Sequence, residues 1–445
     1  MSAATTTRRL RPAARSLPDS LREFLTPALW KQARHRRGPS RCSRWATQPL
    51  VLVLLVMTWS CGDSQAERFE TARAFCAVCL PRRRRPGKTV GGYHKALARL
   101  PTAVLRAVAA GLRQTLAARL ADRWRYDGFV PIGCDGSRVE CPRSAELERR
   151  LGQAGKGGSA PTVWVTALVH LRLGLPWAWR LGRGTASERS HLLQLLTRLP
   201  AAALVVADAG YFGYELCRRL MAARVHFLLR MSSNVTLYTV ERVRLEKFRE
   251  GWVYYWPGQK QRPEDEPLLL RLIRVRARQR KNDVWLLTNV LGAERLPAAV
   301  AGRFYRWRWE SEGQFRAYKR TLGKVKFVSR TLRLVHREAE GSLLALQLML
   351  AQGAIAMPKA AGSSAAPVVS PRRVLLLIRQ ELHGPARRGE CFGRRLQKAC
   401  RQRRERTSAK AVRDWPRRKP HKPPGRPEIL TLTAAQKARI QRQMR

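Results

Sequence analysis

Ala203-Leu-Val-Val-Ala-Asp208-Ala-Gly210 is a short apolar run closed by an acid and a glycine. Five apolar residues bounded by a turn signal are too few for a helix and read as a buried strand, Ala203–Ala207. The same device stands upstream in Ile132-Gly-Cys-Asp135-Gly136-Ser137, where an acid and a glycine follow the apolar stretch Phe129–Cys134. Between the two, Thr162–Leu171 and Leu175–Leu181 read as strands and Ser187–Leu199 as a helix. After Asp208 come a helix, Tyr214–Ala222, and a strand, His226–Arg230.

Three strands, helix, strand, helix, strand is the order of a ribonuclease H-like α/β domain. In such a sheet the first and fourth strands are parallel neighbours. Asp135 and Asp208 would then emerge side by side at one sheet end, where open α/β sheets place their sites. The glycines after each acid let the backbone turn sharply and leave room for a ligand. Taken singly, either Asp is also what a strand-ending turn or a helix cap requires. A third acid decides against that reading.

It lies in Tyr305-Arg-Trp-Arg308-Trp-Glu310-Ser-Glu312-Gly-Gln-Phe-Arg-Ala-Tyr-Lys319. At about 100° per residue, Tyr305, Arg308, Glu312 and Lys319 fall at roughly 0°, −60°, −20° and −40° and share one helix face, whereas Glu310 falls at about 140°. A solvated helix surface would show the same mixed charge, so the wheel alone leaves both readings open.

The spacing Tyr-x2-Arg-x3-Glu-x6-Lys resembles the signature of transposases of the insertion-sequence-four family. Asp-Gly-Ser at 135–137 and Asp-Ala-Gly-Tyr-Phe-Gly at 208–213 are similar to that family's first and second acid motifs, with Ser137 where Thr is common. The resemblance covers about residues 130–356. It implies a DDE transposase in which Asp135, Asp208 and Glu312 hold two Mg²⁺ or Mn²⁺ ions, and Tyr305, Arg308 and Lys319 grip the terminal phosphates of the element. It also implies double-stranded DNA, as element ends and target, for partner. A homodimer in the synaptic complex and a location in the bacterial cytoplasm, on the nucleoid when DNA is bound, go with it. The chemistry suits the residue types: phosphodiester cleavage needs a strengthened nucleophile and a neutralised leaving oxygen, which two hard cations on carboxylate oxygens supply. A ribonuclease H-like nuclease that cuts without joining, and a DNA-binding relic with a dead site, are the competing readings.

Around this core the sequence predicts five segments: a helical basic domain over 1–122, the first part of the catalytic domain over 123–231, a β-rich insertion over 232–295, a helical second part over 296–358, and a linker with one more short helix near 372–382 and a basic tail over 359–445. In the insertion, Trp252, Tyr254, Tyr255, Trp256 and Trp285 offer stacking faces for an unpaired base, or else are ordinary strand core. In the tail, the Gly425-Arg426-Pro427 step within a Pro- and Arg-rich stretch is close to a minor-groove arm, or else is a solvated basic tail.

Composition narrows the classes. Lys and Arg number 87 against 31 Asp and Glu, a net charge of +56 spread along the chain, so a polyanion partner follows. Thirteen Trp and 44% hydrophobic residues speak for an enzyme-sized core over a packing protein. Nine scattered cysteines are no disulfide framework and fit a reducing cytoplasm. Cys76-x-x-Cys79 lacks a second pair at finger spacing, and Arg82 stands where a phosphate loop ending in Gly87-Lys88-Thr89 requires glycine. Leu50–Met57 is too short to span a bilayer and reads as a buried helix. The eight histidines fall in no recognisable motif, which leaves Ser-His-Asp and Cys-His chemistry without support.

Overall fold

The computed structural model describes residues 16–34, 44–152, 159–231, 235–258, 266–276, 283–357, 369–383, 390–401 and 426–443. The chain forms two compact units, Met1–Leu120 with Ala317–Arg404, and Ala121–Arg316 with Glu405–Arg445.

The first unit is helical. Its helix Thr47–Trp59 is apolar all round, and ten of its 13 residues are buried, as expected for the Leu50–Met57 run. It packs on Leu332–Ala356 within the same unit. That helix is long and apolar enough to cross a membrane by length and composition, but its apolar window is 89% buried. Here the structure divides the chain differently from the sequence pattern. The helical region 296–358 is split at Ala317, because Leu332–Ala356 buries its apolar circumference among the N-terminal helices. The helices Pro371–His383 and Phe392–Arg401, in what reads as linker and tail, also belong to this unit.

The second unit is built on one mixed sheet of ten strands. In chain order they are β1 (Val130–Glu140), β2 (Thr162–His170), β3 (Leu175–Arg183), β4 (Ala203–Ala207), β5 (His226–Arg230), β6 (Thr236–Thr239), β7 (Glu250–Tyr255), β8 (Leu268–Val275), β9 (Val284–Thr288) and β10 (Glu428–Thr431). Their spatial order is β10-β6-β7-β8-β9-β5-β4-β1-β2-β3. β1 pairs with β2 antiparallel and with β4 parallel, and β4 pairs with β5 parallel. The neighbourhood of the first and fourth strands is thus as the element order predicts. The helices that matter for the site are α1 (Glu188–Leu195), α2 (Tyr214–Ala222), α3 (Ala298–Trp307), α4 (Trp309–Arg316) and α5 (Ala434–Gln443).

Two features go beyond the sequence reading. Residues 232–295 do not close a sheet of their own: β9, apolar and mostly buried, pairs antiparallel with β5 and carries β8, β7 and β6 onto the same sheet. Pairing removes the exposed edge that β5 would otherwise present. The tail likewise contributes β10, which pairs parallel with β6, and α5. Most of the suggested minor-groove arm lies outside the described residues. Arg426 is described, and it is exposed two residues before β10.

α3 seals one face of the sheet centre. Phe304 and Tyr305 pack with Leu204, Val206, Leu228, Ile273 and Leu286 from β4, β5, β8 and β9 in a single core cluster. This packing fixes the helix that begins the third acid motif against the strand that ends in Asp208.

Candidate active site

β4 ends at Ala207, and Asp208 follows in extended backbone. Asp135, expected at a strand end, lies inside the eleven-residue β1. The parallel pairing of β1 with β4 stops at Gly133–Val206, however, while its pairing with β2 continues to Glu140. Asp135 therefore stands two residues beyond the point where β4 leaves β1, and the opening comes from the shortness of β4.

Each aspartate is anchored by one oxygen. Asp135 Oδ1 accepts the Gly136 N–H at 2.8 Å. Asp208 Oδ1 accepts the Ala209 N–H at 2.9 Å, the Tyr305 hydroxyl at 3.1 Å and an Arg230 N–H at 3.2 Å. Arg308 donates to Glu312 Oε1 at 3.2 Å. On all three acids the second oxygen has no hydrogen-bond partner among the described residues.

The charges around the acids differ. Burial pushes Asp135 above the ordinary carboxylate value, and Glu312 and Asp208 add to this; the Gly136 N–H and Arg308 oppose it. Burial also acts to raise Asp208, but the Ala209 N–H, Arg308, Arg230 and Tyr305 outweigh it and hold its carboxyl below the ordinary value. Burial likewise acts to lower Arg308, against which Tyr305, Asp208 and Glu312 raise it and keep it a cation. Arg308 is only 6% exposed, so its guanidinium is a buried positive charge set among the acids.

Tyr305, Arg308 and Glu312 are thus brought together at Asp208, with Asp135 in electrostatic reach. Glu310 is raised by burial alone, and no charged neighbour acts on it. Lys319 does not continue the same helix. The chain makes i→i−3 bonds at Arg308 and Ser311 between α3 and α4, and Lys319 lies in a π-helical turn, Ala317–Thr321, that groups with the first unit. A fixed 100° per residue does not hold across 305–319, so the wheel's placement of Lys319 loses its basis. Arg230 escaped the sequence reading, although its place at the end of β5, one strand from Asp208, could have singled it out.

The tryptophans separate. Trp252 is 63% exposed on β7. Trp256, just after β7, meets Tyr238 edge-on at 6.0 Å and lies under the Arg439 guanidinium of α5 at 5.9 Å. Trp285, by contrast, is 4% exposed and packs on Phe248, so it is strand core and offers no face to a base. Beside Ala209 opens a cleft of about 690 Å³ lined by Arg189, Tyr214, Tyr238, Tyr255 and Trp256 among others.

Three or more His, Cys, Asp or Glu side chains do not meet closely enough to hold a metal as they stand, among the described residues. The donor set nevertheless suits a hard divalent cation: three carboxylates, each with an oxygen to spare, two of them raising the third. The Cys76 and Cys79 thiols do not suit one. Burial raises both, Cys79 to about 11.

Comparison with known proteins agrees in kind. The transposase DDE domain family matches residues 133–348. Transposase InsG for insertion sequence element IS4 of Escherichia coli (strain K12) is 25% identical over 237 residues, which is 50% of this chain and 52% of that protein. The chain thus spans about half the length of this curated relative. Among solved structures, the piggyBac transposase in a synaptic complex with hairpin DNA is similar at a TM-score of 0.40 and 12% identity, over 82% of this chain and 79% of that one.

Proposed function

We propose that this chain, whose residues 133–348 match the transposase DDE domain family, is a DDE transposase of the insertion-sequence-four type. It binds the terminal repeats of an insertion sequence and cuts and joins DNA by metal-dependent phosphoryl transfer. The observation that carries the reading is the convergence of Tyr305, Arg308 and Glu312 at Asp208, beside Asp135. The order β3-β2-β1-β4-β5, with β2 antiparallel, supports a ribonuclease H-like catalytic fold extended by further strands.

In this reading Asp135, Asp208 and Glu312 hold two Mg²⁺ or Mn²⁺ ions. When bound, such ions strengthen the attacking oxygen and neutralise the leaving one. Tyr305 and Arg230 orient Asp208 by occupying one of its oxygens, which leaves the other facing the site. Arg308 pairs with Glu312 in the free protein and binds a DNA phosphate when the element end arrives, a transfer between two charge-assisted partners. Lys319 and Arg426 act on the DNA backbone and Trp252 and Trp256 on bases; Trp285 serves the core. The charge of +56 supplies the general affinity for double-stranded DNA. Two protomers, each holding one end, form the synaptic complex.

Incubating the purified protein with its flanking terminal repeats and Mg²⁺ and mapping the products tests this reading. Cut ends joined to target DNA are expected. Cutting without joining would assign the chain to the ribonuclease H-like nucleases, and binding without cutting would make it a relic.

A further inference from the structure

α1 begins at Glu188, directly after its cap Ser187, and follows β3 in the chain. A β-carbon built on Gly136 would come within 2.8 Å of Glu188 Oε1, and one on Gly210 would lie 4.0 Å from Glu188 Oε2. Gly136 follows Asp135, and Gly210 is two residues past Asp208. The carboxylate of Glu188 thus sits between the glycines of the two acid motifs, in space that Gly136 keeps open. It is close enough to Asp135 and Asp208 for their charges to act on it. It enters from the other sheet face: on β1 the β-carbon position of Gly133 faces Ser311 of α4, whereas that of Gly136 faces Trp164 and Glu188. Alternation along a strand accounts for the difference.

A second, independent feature marks the same place. Tyr211, one residue past Gly210, is 2% exposed, and its hydroxyl has no hydrogen-bond partner among the described residues. It faces Glu188 and Cys134, each near enough to act on it, with Asp135 beyond. A buried hydroxyl without a partner carries an unrecovered desolvation cost, which is relieved when a ligand or its water enters the gap. Glu188 has no ion pair among the described residues, whereas Asp208 has Arg230 and Glu312 has Arg308.

We propose that Glu188 is a fourth carboxylate of the site, reaching through the Gly136–Gly210 gap to hold a divalent cation together with Asp135. This rests on the proposed metal-dependent function. It gives Gly136 a role: any side chain at 136 would displace Glu188.

Uptake of Mn²⁺ by the full chain without DNA, followed by the loss of the free-ion signal in electron paramagnetic resonance, tests the assignment. In Glu188→Gln, which keeps the shape, one binding event should weaken at least tenfold while the other stays. Asp208→Ala should weaken both. Glu188→Asp keeps the charge on a shorter arm and should fall between wild type and Glu188→Gln; it decides the matter if Glu188→Gln fails to fold, a tenfold loss supporting the role. Wild-type uptake in the Glu188 variants beside loss in Asp208→Ala would overturn the role of Glu188 and leave the three-acid site standing. Absence of saturable uptake by the wild type would overturn both.

Discussion

Gly133→Ala should act on catalysis through a single methyl group. A β-carbon at residue 133 would stand 2.5 Å from Leu171 Cδ2 and closer still to Ser311 Oγ, one residue before Glu312. Ordinary contact begins at 3.4 Å, so the Leu171 methyl must retreat by about 0.9 Å, and the Ser311 hydroxyl on α4 by somewhat more. Ser311 is fully buried and α4 packs on β1 and β2, so the helix cannot absorb the shift by a surface rotation. Overpacking of this kind costs typically about 1–3 kcal/mol. At about 2–4 °C per kcal/mol for a folding unit of about 150–250 residues, the melting temperature of the second unit should fall by roughly 2–12 °C, leaving the protein folded at 25 °C. Glu312 moves with the helix, and a displacement of about 1 Å in a reacting constellation can cost about a hundredfold in rate. The assay is single-turnover nicking of a labelled terminal repeat, with binding of the same DNA measured in parallel. Binding should hold within about threefold while nicking falls on the order of a hundredfold. A variant that melts lower but nicks within about threefold of wild type would refute the coupling of α4 to the acids.

The two aspartates should respond oppositely to neutralisation in metal-free buffer. Asp135 is raised above the ordinary 3.8, so its ionised form costs the fold stability at neutral pH; Asp135→Asn should raise the melting temperature at pH 7, with the gain vanishing as pH falls to 3.8 and below. Asp208 is lowered, so its ionised form contributes stability present at pH 7; Asp208→Asn should lower the melting temperature, a loss that persists at pH 3.8 and fades only through the lower folded value. Melting curves of both variants in EDTA check the signs, and equal shifts would contradict the described electrostatics. DNA binding should weaken by on the order of a thousandfold between 50 and 200 mM salt if at least six phosphates are contacted; a flat salt profile in a filter-binding assay would exclude a backbone-tracking mode. Truncation at residue 402 should lower stability as well as charge, because it removes β10 and α5; thermal melts of the truncated chain show whether the tail is structural.

The sequence pattern made the catalytic half of the sheet legible for a physical reason: β4 and β5 are short apolar runs closed by turn residues, and their bounds agree with Ala203–Ala207 and His226–Arg230. β1 was harder to bound, since Asp135, Gly136 and Ser137 look like a turn yet continue to pair with β2 at an opening left by β4. Pairing partners are non-local, so that the β-rich insertion joins the main sheet through β9 is not visible in the sequence pattern. On the third motif, helical periodicity rightly set Glu312 beside Tyr305 and Arg308. It does not carry through to Lys319, because a change of helical type intervenes. Trp285 and Trp252 are alike in sequence and opposite in burial, since alternation along a strand decides which faces the core.

The most direct test of the proposed site compares Glu312→Gln with Glu310→Gln, two isosteric changes two residues apart on α4. Glu312 pairs with Arg308, whereas Glu310 has no charged neighbour acting on it. In Mg²⁺-dependent nicking of a labelled terminal repeat, Glu312→Gln should lose more than about a hundredfold, a barrier increase above about 2.7 kcal/mol, while Glu310→Gln stays within about threefold of wild type. An active Glu312→Gln enzyme beside an inactive Glu310→Gln would contradict the assignment of the third acid.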